Sequence, residues 1–176
     1  MFKLNHTRDE LPSDDPTGYE ELLIARDGVT EPISLVDPDG NRVRLVPHGW
    51  LGIEQIGLVL KVSDIGLFQN FYRNILQIEE VSETSFRWGS TVFFLEQADQ
   101  PRHCSGIRGG VGYRYITVQV WQVDQEHSAF LARGGDEAQP PMTLGTTARI
   151  SFIKDPDGNW IEISQRASLT GSLASA

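Results

Sequence analysis

The chain has 176 residues, enough for one sizeable core or two small modules that share one. Its net charge of −9 argues against nucleic acid and anionic membranes as partners, and no apolar run approaches the ~20 residues of a membrane helix. A single cysteine, Cys104, builds no disulfide framework and fits a reducing, cytoplasmic setting.

Residues 1–16 are polar and acidic, and read as a flexible arm rather than a secretory signal. Thr17-Gly18-Tyr19-Glu20 has the form of a capping box, which predicts a short helix through Leu22 and Leu23 that stops at Gly28. Ile33-Ser34-Leu35-Val36, Asp37-Pro38-Asp39-Gly40-Asn41 and Arg42-Val43-Arg44-Leu45 then read as strand, tight turn, strand. Pro suits the first central position of a type I turn, and Gly can take positive φ. Pro47-His48-Gly49-Trp50 follows as a linker.

From Ile56 to Val62 the residues alternate. Ile56, Leu58, Leu60 and Val62 share one face; Gly57, Val59 and Lys61 share the other. Ser63 or Asp64 caps a helix with apolar positions Phe68, Phe71, Tyr72, Ile75 and Leu76. Strands over 78–82, 85–88 and 91–96 complete a β-α-β-β-β unit, residues 54–98.

Residues 99–110 form a linker, and the pattern restarts over residues 112–166. Tyr113, Tyr115, Thr117 and Gln119 share one strand face. Asp124 caps a helix through Phe130 and Leu131 that Gly134-Gly135 stops. Strands over 143–144, 149–153 and 160–165 close the second unit. Its hairpin repeats the earlier turn as Asp155-Pro156-Asp157-Gly158-Asn159. Residues 17–47 therefore read as the back half of a third unit, a partial module, and residues 167–176 as a tail that frays.

Two stretches carry a family likeness. One is Leu58-Val59-Leu60-Lys61-Val62-Ser63-Asp64 with Phe71-Tyr72-Arg73-Asn74-Ile75-Leu76; the other is Phe152-Ile153-Lys154-Asp155-Pro156-Asp157-Gly158-Asn159-Trp160-Ile161-Glu162-Ile163. Over roughly residues 54–166 the chain resembles the vicinal oxygen chelate superfamily of glyoxalase I, bleomycin-resistance proteins, extradiol dioxygenases and epimerases. The resemblance implies an α+β fold: paired β-α-β-β-β modules form a cupped, incomplete barrel with helices outside. The N-terminal helix and β-hairpin are an addition to it. Pairing within one chain and pairing across a homodimer both remain open.

By that resemblance, metal-using members place one ligand on the first and one on the last strand of each unit. Those positions fall here on Gly57, Tyr115, Glu162 and either Phe93 or Glu96, with the choice favouring Phe93. Only Glu162 is then a ligand type, so no metal site and no cofactor are expected, with a divalent Zn, Ni, Mn or Fe as the alternative. The four histidines, His6, His48, His103 and His127, read as solvated residues.

What remains is a cup lined by Gly57, Val59, Lys61, Phe93, Tyr113, Tyr115, Thr117, Gln119, Trp160 and Glu162, with Thr91 and Leu95 on the strand face assigned to Phe93. Its aromatic residues suit a small apolar or aromatic organic ligand. Lys61 is the candidate partner of Glu162, and Glu162 with Tyr115 the candidate acid and base. Arg42 and Arg44 read as a solvated face. Four functions follow: a metal-independent binder; a metal-dependent lyase, dioxygenase or epimerase; a metal-free isomerase or lyase; and a non-catalytic subunit whose N-terminal hairpin covers a partner's sheet edge.

Overall fold

The Asp-Pro-Asp-Gly-Asn turn occurs twice and joins two strands each time, in a computed structural model that describes residues 16–100, 110, 112–171 and 173. His6, Cys104 and His103 lie outside the described residues, as do the arm up to residue 15 and most of the tail beyond residue 171. The N-terminal segment contributes β1 (Tyr19–Ala25), β2 (Ile33–Val36) and β3 (Arg42–Val46). The first unit holds β4 (Ile56–Val62), α1 (Ile65–Asn70) with a π-helical continuation (Phe71–Leu76), β5 (Glu79–Ser82), β6 (Ser85–Trp88) and β7 (Thr91–Gln97). The second holds β8 (Tyr115–Gln119), α2 (Val123–Ala132), β9 (Asp136–Leu144), β10 (Ala148–Lys154) and β11 (Trp160–Arg166). A one-turn helix, α3 (Ala167–Thr170), opens the tail. No helix among the described residues is long and apolar enough to cross a membrane.

In each unit the first strand pairs in parallel with the last: β4 with β7, and β8 with β11. β1 pairs in parallel with β3 in the same manner, so the N-terminal segment repeats this topology without a helix. The predicted helix over residues 17–28 is a strand, β1. Leu22 lies opposite Leu58 and Leu23 opposite Gly57, and both leucines are buried. A strand covered on both faces loses its polar-apolar alternation, and the Glu-Glu-Leu-Leu run then imitates a helix. Thr17 Oγ1 accepts from Tyr19 N at 3.1 Å and donates to Tyr113 O at 2.6 Å, in place of a helix cap.

The class is α+β with open sheets, as expected; the correction concerns which units share a sheet. β1 pairs antiparallel with β4, fusing the partial and first units into one seven-stranded sheet, β2-β3-β1-β4-β7-β6-β5. The second unit keeps its own four-stranded sheet, β8-β11-β10-β9. The helices lie outside both concave faces but between the two sheets. Phe68, Phe71 and Tyr72 of the first unit share one core with Val123 and Phe130 of α2, and the Phe71 and Phe130 rings meet edge-on at 6.1 Å. Asp64 caps α1 through its bond from Leu67 N at 2.9 Å. Asp124 stands in the first turn of α2 rather than at its cap, bonded to Arg149.

The second turn is buried at the junction of all three segments. Asn159 Oδ1 accepts from Gly18 N at 2.8 Å, Asp157 accepts from Ser63 N at 2.8 Å, and Tyr19 donates to Trp160 O at 2.9 Å. His127 is a further correction: it is 3% exposed and its Nε2 lies 2.7 Å from Glu137. His48 stays at the surface, 3.2 Å from Asp27.

Candidate functional site

Residues directly opposite in a ladder share a face of the sheet. Phe93 lies opposite Leu58, and Leu95 opposite Leu60, so both belong to the core beneath the helices. Thr91 shares that face by alternation. Val92, Phe94 and Glu96 face the cup, opposite Gly57, Val59 and Lys61. Phe93 therefore does not line the cup. The run is apolar on both sides, and a one-residue slip turns every side chain over. Lys61 does not reach Glu162: its Nζ lies 2.8 Å from Glu96, whose hydrogen bond raises the Lys61 pKa above the ordinary value.

In the second unit Glu162 lies opposite Thr117, two residues beyond Tyr115. The same step leads from Gly57 through Val59 to Phe94 in the first unit. In the partial unit it leads from Glu21 through Leu23 to Arg44. The four equivalent positions of the seven-stranded cup thus hold Glu21, Arg44, Gly57 and Phe94. Glu21 is 4% exposed and meets Arg44 Nη2 at 2.7 Å. Arg42 pairs with Glu20 at 3.0 Å, so neither arginine is a purely solvated face.

The rest of this cup is filled. Ile53, fully buried, enters from the linker and packs with Leu23, Val46, Val59 and Val92. It takes the space that a side chain at Gly57 would need: a Cβ there would lie 2.7 Å from Ile53 Cδ1 and 3.1 Å from Leu23 Cδ1. A glycine at position 57 is what lets the linker close over the sheet.

The second concave face is different. Directly opposed residues place Tyr115, Thr117 and Gln119 beside Trp160, Glu162 and Ser164, and Phe152 and Ile150 beyond them. The Tyr115 and Phe152 rings lie 5.9 Å apart at 77°, and Phe152 and Trp160 5.3 Å apart. Glu162 sits among them, 4% exposed, and Thr117 Oγ1 donates to its Oε2 at 3.2 Å. Phe152 was not singled out from the sequence. The Asp155–Asn159 turn fixes the hairpin register, and counting back from Glu162 places Phe152 opposite it. Tyr113 precedes β8 and is not part of this face: its hydroxyl donates to Arg42 O at 3.1 Å, and it borders a cleft with Thr17, Tyr19 and Asn41. Burial raises its pKa above the ordinary tyrosine value.

The residues expected in one pocket are therefore divided between two sheets. Gly57, Val59 and Lys61 belong to the filled cup; Tyr115, Thr117, Gln119, Trp160 and Glu162 belong to the second face. The family's divalent metal does not fit this donor set. In the filled cup one carboxylate is held by a guanidinium, one position is a glycine covered by isoleucine, and one is phenylalanine. The second face offers Glu162 and a tyrosine. Among the described residues, no group of three His, Cys, Asp or Glu side chains could hold a metal ion.

Comparison with known proteins agrees with the topology. Over 96 residues the chain is 30% identical to a probable lactoylglutathione lyase of Vibrio parahaemolyticus, matching 53% of this chain and 58% of that protein. The chain thus spans a little over half the length of that curated relative. A glyoxalase family protein of Enterococcus faecalis superposes with a TM-score of 0.53 at 20% identity, covering 60% of this chain and 92% of that one. A glyoxalase/bleomycin resistance protein/dioxygenase from Nocardioides gives 0.51 at 17% identity, covering 68% and 87%. These two likenesses concern the fold alone. Residues 53–163 match the model of the Glyoxalase/Bleomycin resistance protein/Dioxygenase superfamily, and with the parallel first-to-last strand pairing of both units the chain belongs to that superfamily.

Proposed function

We propose that the protein binds a small apolar or aromatic organic molecule on the concave face of its second unit, without a divalent metal. The observation that carries this reading is one buried carboxylate, Glu162, set among the rings of Tyr115, Phe152 and Trp160. Aromatic walls supply contact area to a flat molecule, and a single carboxylate orients whichever N–H or O–H group the molecule turns towards it. A reducing, cytoplasmic setting is part of the same proposal, on the strength of the single cysteine.

The test is calorimetric titration of a panel of flat heterocycles into protein purified without added metal, paired with metal analysis. Saturable binding that weakens in Trp160→Ala supports the reading. Near-stoichiometric Ni, Zn, Mn or Fe that disappears in Glu162→Ala would sink its metal-free part.

The likeness to a probable lactoylglutathione lyase favours one further reading, a metal-free proton transfer. Glu162 would take a proton and the Tyr115 hydroxyl would return one, since both side chains face the same side of neighbouring strands. Lactoylglutathione turnover by metal-stripped protein that is lost in Glu162→Gln would support it, and turnover that returns only with added metal would overturn it.

A further inference from the structure

Given the ligand reading above, on which this rests, we propose that the second concave face takes an aromatic carboxylate, whose acid group is held by Arg166 and Ser164 at the end away from the rings. Side chains alternate along a strand, so β11 puts Trp160, Glu162, Ser164 and Arg166 on one face. The ladder with β10 sets Glu162 opposite Phe152, Ser164 opposite Ile150 and Arg166 opposite Ala148. The face therefore changes character along its length. At the Trp160 end it holds the rings around Glu162. At the Arg166 end it holds a hydroxyl and a guanidinium, beside the small side chain of Ala148. β8 ends at Gln119, next to Ser164, so no β8 residue stands beside Arg166.

Both polar groups at that end lack a partner. Ser164 is fully buried, and among the described residues its Oγ has no hydrogen-bond partner. Arg166 is half-buried, and its Nε is enclosed with no acceptor. Folded proteins satisfy nearly all such groups, because leaving one unmatched forfeits its bonds to water. The other arginines on strands are matched: Arg42 meets Glu20, Arg44 meets Glu21, Arg87 meets Glu79 and Arg149 meets Asp124. Arg166 meets no carboxylate among the described residues. Glu162, on its own strand, is four residues back, about 13 Å away at the Cα atoms, and already accepts from Thr117.

The chemistry of the pair selects its ligand. A guanidinium only donates and a serine hydroxyl can donate, so together they suit a group that only accepts. A planar carboxylate matches the guanidinium fork with two parallel bonds. One guanidinium balances one negative charge, which favours a carboxylate over a doubly charged phosphate in a chain of net charge −9. The ring of the ligand lies between its acid group and Glu162, which keeps the two negative charges apart. A ring O–H or N–H turned towards Glu162 and an acid on a short chain turned towards Arg166 fit both ends of the face.

The experiment is calorimetric titration of the full chain, purified without added metal, with a set of hydroxyphenyl and indolyl acetates and propionates and with the corresponding amides. In the natural chain the best acid should bind at least about tenfold tighter than its amide, the size of a charge-assisted hydrogen bond. In Arg166→Met, which keeps the aliphatic stem, the acid should fall to the affinity of the amide. Ser164→Ala should narrow the difference in part, and Arg166→Lys should restore part of it. No binding by any acid, equal affinity for acid and amide in the natural chain, or a preference that survives Arg166→Met overturns the proposal. Equal affinities that both fall in Trp160→Ala overturn this proposal and leave the ligand reading standing. Acid binding that needs Arg166 and is indifferent to Trp160→Ala does the reverse.

Discussion

Asp37 and Asp155 hold the same place in two copies of one five-residue turn, and their carboxyl groups are shifted in opposite directions. Each accepts from the backbone N–H two residues on, the backbone N–H four residues on, and the asparagine side chain. At the surface, the Asn41 side chain and backbone hold Asp37 below its ordinary value. Between the units, burial outweighs the same bonds and pushes Asp155 up to about 7. The difference is the loss of water, which penalises the charged form.

A stability trend with pH follows. The Asp155 folded pKa is raised from 3.8 to about 7, so in that window the folded chain holds a proton that the unfolded chain has released. Its contribution is fully present below pH 3.8 and is lost as pH rises through about 7. The melting temperature should therefore fall between about pH 4 and pH 7 by more in the natural chain than in Asp155→Asn. Parallel profiles for the two proteins would contradict this.

Gly57 and Ile53 make a second test. Gly57→Ala puts a methyl where Ile53 Cδ1 and Leu23 Cδ1 already stand, and should cost about 1–3 kcal/mol in a urea titration. Gly57→His, which restores a metal-ligand type at the family position, should destabilise further and bring no metal affinity. An unchanged urea midpoint for Gly57→Ala would mean that the linker yields freely.

The two arginines of the N-terminal hairpin should respond unequally. Arg44 is held to a buried Glu21, so Glu21→Gln should cost about 2 kcal/mol, with little dependence on salt. Arg42 and Glu20 form a more exposed pair, and Arg42→Ala should cost under about 1 kcal/mol and less at high salt. Equal losses in denaturant titrations would refute the distinction.

On the second face, Trp160→Ala should weaken an aromatic ligand about tenfold, the size of one lost ring contact of about 1.4 kcal/mol. Glu162→Gln should discriminate by charge: a cationic heterocycle loses affinity and a neutral one of the same shape keeps it. Identical losses for both ligands would show that the charge of Glu162 plays no part in binding, and no loss for either would remove Glu162 from ligand contact.

Much of the fold was legible because turns and half-exposed faces write clear patterns. Both Asp-Pro-Asp-Gly-Asn hairpins formed, with Gly40 and Gly158 at positive φ. The apolar stripe from Phe68 to Tyr72 entered the shared core. Errors gathered where both faces of a strand are covered. Leu22-Leu23 in β1 and Phe93-Phe94 in β7 carry no alternation that tells inside from outside. Glu162, beside a well-marked turn, was placed correctly on its strand; its neighbour Phe152 was recoverable from the same turn. The role of Ile53 left no local signal, because a linker residue that plugs a distant sheet is specified only by the shape it enters.

That plug changes what the seven-stranded cup is. Ile53 behaves as an occupant tied to its receptor by a short tether, at an effective concentration no dissolved molecule of similar affinity can match. The cup between the partial and first units is thus permanently saturated by the chain itself. Truncating the occupant in Ile53→Ala would leave a dry hollow walled by Leu23, Val46, Val59 and Val92, of the kind that admits xenon or benzene rather than water. The N-terminal segment and its linker thus make the concave side of the seven-stranded sheet a surface that the chain itself occupies.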